Sequence, residues 1–284
     1  MTKLTTTVID PTSPLIHPIQ LVKEICIDFF RSRELASRLL ERDIRSKYRQ
    51  SALGMTWIIL TPLTSALVFI FLQSEGVLTS VPSGGIPYAL FVFLGTYLWQ
   101  VFVDSINAPL KVLDQNRSML GKINFPRESL IIVAFGSVIF DTVVKSILMG
   151  GIILFFRPHL HWSLLLAPLA VVAIILHGIT LGLLLTPLGA LYRDVSTMIA
   201  SLAGFWFFVT PVVYEPTKSG IISKFTLFNP IAHLLTGTRD LVLSGAITSP
   251  VAFAIVIMIS IVGFIFAALL FRVSMPVLIE RMGS

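Results

Sequence analysis

Charge is scarce in this chain: of 284 residues only 13% are Asp, Glu, Lys or Arg, against 55% hydrophobic residues and a mean hydropathy of +0.89. A water-soluble domain of this length would have too little polar surface to cover its core. A soluble fold is thereby excluded, and the bilayer becomes the main solvent. Cysteine is almost absent. Cys26 stands alone, which excludes an intrachain disulfide and leaves a small residue on the apolar face of a helix. No short apolar run opens the chain: Met1–Gln20 carries prolines and polar residues where a signal peptide would need apolar ones, so the N-terminus is expected to stay inside, uncleaved. A phosphate cradle is missing too. Gly121-Lys122-Ile123 lacks both the upstream glycine and the hydroxyl of a P-loop. The five histidines His17, His159, His161, His177 and His233 never fall at H-E-x-x-H spacing, and His159 and His161, beside Trp162, suit a headgroup or solvent contact better than a metal. No catalytic residue, metal or cofactor is therefore expected in this chain.

What the chain does have is long apolar runs. A helical span takes about 20 residues at about 1.5 Å each to cross about 30 Å of hydrocarbon. Six segments meet or approach that length: Met55–Gln73, Ile86–Asn107, Ser129–Phe156, Leu164–Leu188, Val195–Tyr214 and Val251–Phe271. Before the first of them Arg42, Arg45, Lys47 and Arg49 give way abruptly to apolar residues and Trp57. Basic residues suit the anionic inner leaflet and tryptophan the interface, so the chain is expected to enter the membrane here from the cytoplasmic side. Six spans then return both termini to the cytoplasm. The distribution of cations agrees, with sixteen Lys and Arg on the inner side of that arrangement and four on the outer. The net charge of +6 thus reads as topology, not as nucleic-acid binding.

The predicted fold class is an all-α integral membrane protein. It divides into a cytoplasmic N-terminal segment over 1–54, a six-span domain over 55–272 and a cytoplasmic tail over 273–284. Within the first segment, Ile19–Leu40 spaces Leu21, Ile25, Phe29, Leu35 and Leu39 at helical intervals among charges, which predicts an amphipathic helix lying on the inner leaflet. Glu215–Pro250 is too polar for two crossings and, around Ile221–Leu243, too apolar for a water-exposed loop. Pro211, Pro216 and Pro230 break it into pieces. Short re-entrant half-helices over about 211–245, their ends buried in protein or lining a wet cavity, fit that composition; a surface loop with one lipid-lying helix is the other reading. Asp141 and Lys145 put charge inside a span at i, i+4 spacing, where they could pair on one helix face or serve a proton relay.

RDIRSKYRQSALGMTWIILTPL at Arg42–Leu63, KINFPRESL at Lys122–Leu130, LGALYRDV at Leu188–Val195, FFVTPVVYEP at Phe207–Pro216 and FNPIAHLLTGTRDLVLSG at Phe228–Gly245 resemble the membrane subunit of bacterial ABC exporters for lipid-linked polysaccharides, the class that moves O antigen, capsule and teichoic acid. The likeness covers about Leu21 to Phe271. It implies a homodimer in the inner membrane enclosing a channel, with two copies of a separate P-loop ATPase carrying ATP and Mg on the cytoplasmic side. It also implies that the ATPase is engaged through Arg42, Asp43, Arg45 and Lys47, through Pro126, Arg127 and Glu128, and through Arg193 and Asp194. The pieces at Pro211–Asp240 would form the external gate. A channel that passes many sugars suits adaptable aromatic faces. The candidates for channel and gate are Trp57, Tyr97, Trp99, Phe205, Trp206, Phe207, Pro211, Tyr214, Phe228 and Pro230. O antigen is the leading substrate expectation, with teichoic acid or capsular polysaccharide as the alternative. A proton-coupled carrier would call for several buried ionisable groups and an internal repeat, and a membrane transferase for a catalytic His or paired carboxylates; neither pattern is apparent.

Overall fold

The computed structural model describes residues 27–49, 56–76, 85–120, 126–156, 158, 161–192, 194–216 and 220–283, and every element among them is helical. In chain order these are α1 (Arg33–Arg49), α2 (Thr56–Ser74), α3 (Tyr88–Gln115), the single turn α4 (Arg117–Leu120), α5 (Glu128–Phe156), a 3₁₀ turn (Trp162–Leu166) leading into α6 (Ala167–Leu191), α7 (Asp194–Val209), α8 (Ile221–Phe228), α9 (Pro230–Leu243) and α10 (Pro250–Gly283). Helix is the state that satisfies every backbone polar group within one segment, as a low-dielectric surrounding demands. The same setting tolerates Pro62, Pro109, Pro187 and Pro276 inside helices. Pro168 and Pro230 sit in first turns, where the missing N–H has no intrahelical partner to lose.

Each of the six apolar segments coincides with a helix. Four helices, α3, α5, the 3₁₀ turn with α6, and α10 over Pro250–Pro276, are long and apolar enough to cross a membrane. α2 and α7 are shorter. The expected fifth segment ran to Tyr214, but α7 stops at Val209 because Pro211 has no N–H to continue it and the chain turns there instead. α10 continues through 273–283, so the stretch expected as a tail is the end of a long helix.

α3 is the centre of the bundle and is buried along most of its length. α6 crosses it closely because Gly178 and Gly182 form a G-x-x-x-G pair facing α3: a Cβ at Gly178 would lie 2.5 Å from Ser105 Cβ, and one at Gly182 would strike the Ile106 carbonyl. α10 lies on the far side of α6, joined by a 2.9 Å hydrogen bond between His177 Nδ1 and Ser260 Oγ. α5 and α2 pack on the other flanks of α3, and α9 fits among α3, α6 and α10.

α1 is amphipathic, as its spacing suggested. Its apolar stripe, with Ala36 and Leu39 buried, is laid against α5, where Gly136 makes room for Leu40. The helix does not end at Leu40. It runs on to Arg49, so Arg42, Arg45 and Lys47 belong to its last turns. The part of Ile19–Leu40 before Ile27 lies outside the described residues.

Candidate functional site

At the end of the bundle nearest α1, the cationic run is tied down rather than spread on a surface. Arg42 donates to Asp43 Oδ1 at 2.7 Å and to Asn116 Oδ1 at 2.6 Å, the latter the residue that closes α3. Lys47 pairs with Asp141 at 2.5 Å, and Lys145 pairs with Asp104, whose other oxygen accepts from Gln100 at 2.9 Å. Asp141 and Lys145 are therefore held by different partners, not by each other. Two neighbouring helices, α1 and α3, each bring a counter-charge to its own side of α5, and the i, i+4 pairing suggested by spacing is displaced. A polar cavity of about 170 Å³ lies between α1, α3 and α5, with Asp43, Lys47, Asp104, Lys111 and Asp141 on its walls. Arg45 pairs with Glu41 on the exposed face of α1.

The second predicted contact region splits. Pro126 is exposed, and Arg127 is half-buried, its guanidinium drawn below the usual arginine range by burial against the opposing pull of Glu128. Glu128 itself is buried and accepts from Arg272 at 2.7 Å, while Arg272 also reaches Asp28 at 3.0 Å, so this carboxylate locks α5 to α10 and to the chain before α1. Asp194 is exposed in the first turn of α7, where a negative charge complements the helix dipole. Arg193 lies outside the described residues.

The aromatic candidates fall into groups. Trp99, Trp206 and Phe207 join Phe69 and Phe102 in one cluster: Phe69 stacks on Phe207 at 5.5 Å, Trp99 meets Phe207 edge-on at 5.7 Å, and Phe102 meets Trp206 at 5.4 Å. Phe205 and Phe228 are exposed. With Trp206, Leu202, Phe225 and Pro230 they line an open concavity of about 390 Å³ between α7, α8 and the start of α9. Tyr97 points elsewhere, donating to or accepting from Ser146 Oγ on α5 at 2.7 Å. Trp57 is exposed on α2.

After α7 the chain bends through Thr210–Tyr214, and the bend is held from several directions. Trp206 Nε1 donates to Asn229 Oδ1 at 3.1 Å, and Asn229 Nδ2 donates to Thr210 Oγ1 at 2.9 Å. Tyr214 OH donates to the Phe208 carbonyl at 3.0 Å and Tyr88 OH to that of Val213 at 3.2 Å. Pro211 is buried here. Arg239 of α9, 3% exposed, donates to the carbonyls of Pro211 and Val212 at 3.1 and 3.2 Å and lies 3.8 Å over the Phe91 ring. Sequence reasoning counted Arg239 only as one outer charge. A lone arginine within the apolar run Ile231–Leu243 was the available signal, since a cation among apolar residues needs oxygen partners nearby.

The ABC-2 type transporter family matches residues 34–243, from the first turn of α1 to the end of α9. The chain belongs to that family. An O-antigen export system permease protein of Myxococcus xanthus is 25% identical over 221 residues, 77% of this chain and 82% of the relative. One of Klebsiella pneumoniae is 23% identical over 214 residues, 74% of this chain and 80% of the relative. As an ABC-2 transporter with four helices long and apolar enough to cross a membrane, the chain is a multi-pass membrane protein. The Arg42–Asn116, Lys47–Asp141, Lys145–Asp104 and Arg239–Pro211 contacts fall within the matched region, whereas those of Arg272 and Ser260 reach beyond it.

Proposed function

We propose that this chain is the channel-forming subunit of an ATP-driven exporter that moves lipid-linked polysaccharide, O antigen first among the candidates, out of the cytoplasm. The observation that carries the reading is the family match over 34–243 together with relatives named as O-antigen export permeases, 82% and 80% of whose lengths are covered. The open aromatic concavity around Phe205 and Phe228 supports it, because apolar sugar faces stack on such rings without demanding one glycan.

In this reading the subunit has six spans, with α2 and α7 the two short ones, and both termini on the cytoplasmic side. It works as a homodimer with two copies of a P-loop ATPase that supplies ATP and Mg. The exposed face of α1 around Arg45, together with Pro126 and Asp194, receives the ATPase. α8 and α9 are half-membrane helices at the external mouth, and the Arg239 clamp at Pro211 holds the gate in register. Proteoliposomes test this directly. With the subunit, its ATPase and lipid-linked O antigen, glycan should cross to the opposite leaflet only when ATP is present, and the subunit alone should hydrolyse none. Crossing without the ATPase, or hydrolysis by the isolated subunit, would overturn the proposal.

A further inference from the structure

Between α5 and α6 the bundle opens outward. The two helices both pack on α3 but barely on each other, and Phe135 of α5 meets Phe264 of α10 at 5.5 Å to close the inner end of the gap. Beyond that contact a groove of about 690 Å³ runs along α5 from Ile139 to Leu154 and along the 3₁₀ turn and the start of α6 from Leu164 to Ile175, with α3 and α9 as its floor. That volume lies within the ~300–1,000 Å³ range of small-molecule sites. Gly150 lies on its wall, and a Cβ there would meet nothing within 4 Å, so a larger side chain at this position has open space to enter.

The chemistry of the lining selects the occupant. Nearly every wall residue is aliphatic, and the hydroxyls of Tyr97, Ser146 and Thr238 are already spent, which leaves that of Thr142. Tyr97 OH and Ser146 Oγ bond each other at 2.7 Å, Ser146 also donates to the Thr142 carbonyl, and Thr238 donates to the Leu234 carbonyl. A polar ligand would have to leave its own groups unpaired there, at a cost that an apolar one avoids. The rims continue into exposed aliphatic surface, with Ile147 and Leu154 on α5, Leu165 in the 3₁₀ turn and Leu169 on α6, and none of the described residues that line the groove is charged. Both helices are long and apolar enough to cross a membrane, so this groove opens sideways onto hydrocarbon. Its length along α5, about 22 Å at ~1.5 Å per residue, exceeds the ~15 Å that one leaflet occupies in a ~30 Å core.

We propose that this groove is a lipid site that holds one acyl chain of a phospholipid from the leaflet nearer the α5–α6 turn. The lipid fills a gap that the protein leaves open and thereby sets the separation of α5 and α6, remote from the aromatic concavity at α7 and α8.

Full-length protein in lipid nanodiscs containing phosphatidylglycerol with a photoreactive diazirine in its acyl chain tests the site, read by mass-spectrometric mapping of adducts. Adducts should fall on 139–154 and 164–175 several-fold more densely than on the equally exposed Val251–Phe266 face of α10. Gly150→Leu should reduce the groove adducts several-fold and leave those on α10 unchanged. Because leucine is a better helix former than glycine, this variant should fold, which unchanged thermal unfolding and unchanged α10 labelling would verify. Labelling spread evenly over all exposed faces would overturn the proposal, as would groove labelling indifferent to Gly150→Leu. So would a disulfide between two copies through Ile147→Cys in a Cys26→Ser background, since a second copy would then occupy the groove. None of these readouts depends on the ATPase or on the glycan, so the test stands apart from the transport reading.

Discussion

At the end of the bundle nearest α1, apart from the buried Glu128, the fastenings are charges at partly wet positions: Lys47 on Asp141, Arg42 on Asp43 and Asn116, Arg272 on Asp28. At the other end, the bend after α7 is fastened by one fully enclosed arginine and a chain of neutral hydrogen bonds through Trp206, Asn229 and Thr210. The two arrangements have opposite energetics. An ion pair open to solvent is worth about 1 kcal/mol or less and weakens with salt. A buried donor shared between carbonyls costs its full desolvation if it is lost, about 1–3 kcal/mol for each group left bare. The α1 end is therefore built to shift cheaply, whereas the bend is built to stay put or to move as one piece.

The sharpest way to break this contrast is Arg239→Met. It strips two buried carbonyls of their partner and removes the cation from the Phe91 ring, and it should lower stability in detergent by about 3 kcal/mol or more. Arg239→Lys should recover only part of that, because one ammonium cannot span both carbonyls as the guanidinium fork does. Thermal unfolding of the two variants checks it, and a lysine variant as stable as the parent would refute the clamp. Lys145→Met comes next. It leaves Asp104 with only its Gln100 hydrogen bond but 31% exposed, so the loss should be about 2 kcal/mol, below the ~3–5 kcal/mol of a fully enclosed pair. Pairing it with Asp104→Leu should restore much of that stability. The smallest effect should come from Lys47→Gln, at about 1 kcal/mol or less. Limited proteolysis would see α1 released faster, and raising the ionic strength should bring the parent protein toward the variant while leaving the stability deficit caused by Arg239→Met unchanged.

The positions of the spans were legible because each is a run of apolar residues bounded by charge or proline. Which way their side chains face was not. A helix that is apolar all round carries no periodic mark of its buried side, so Tyr97, Trp99 and Phe205 look alike in sequence and end up against α5, inside the aromatic cluster and on the open surface. The ionisable residues failed for a related reason. Asp141 and Lys145 are neighbours along one helix, but Lys47 and Asp104, far away in the chain, reach them first in space. Proline, by contrast, acts locally: the start of α9 at Pro230 falls where the sequence put it, and Pro211 ends α7 at Val209, short of the Tyr214 expected for that segment. Arg239 belongs with the failures, since its partners are carbonyls that no side-chain pattern announces.

α7 has 16 residues, a length of about 24 Å at ~1.5 Å per residue, and in the six-span reading proposed above it stands in hydrocarbon of about 30 Å. The shortfall is a hydrophobic mismatch, met by thinning the lipid alongside or by tilting its neighbours at a fraction of a kcal/mol per Å. α7 also carries Phe205 and Trp206 toward the open concavity. In that reading the bilayer thins beside the aromatic concavity, and the thickness of the host membrane becomes a parameter of how easily a hydrophilic cargo crosses there.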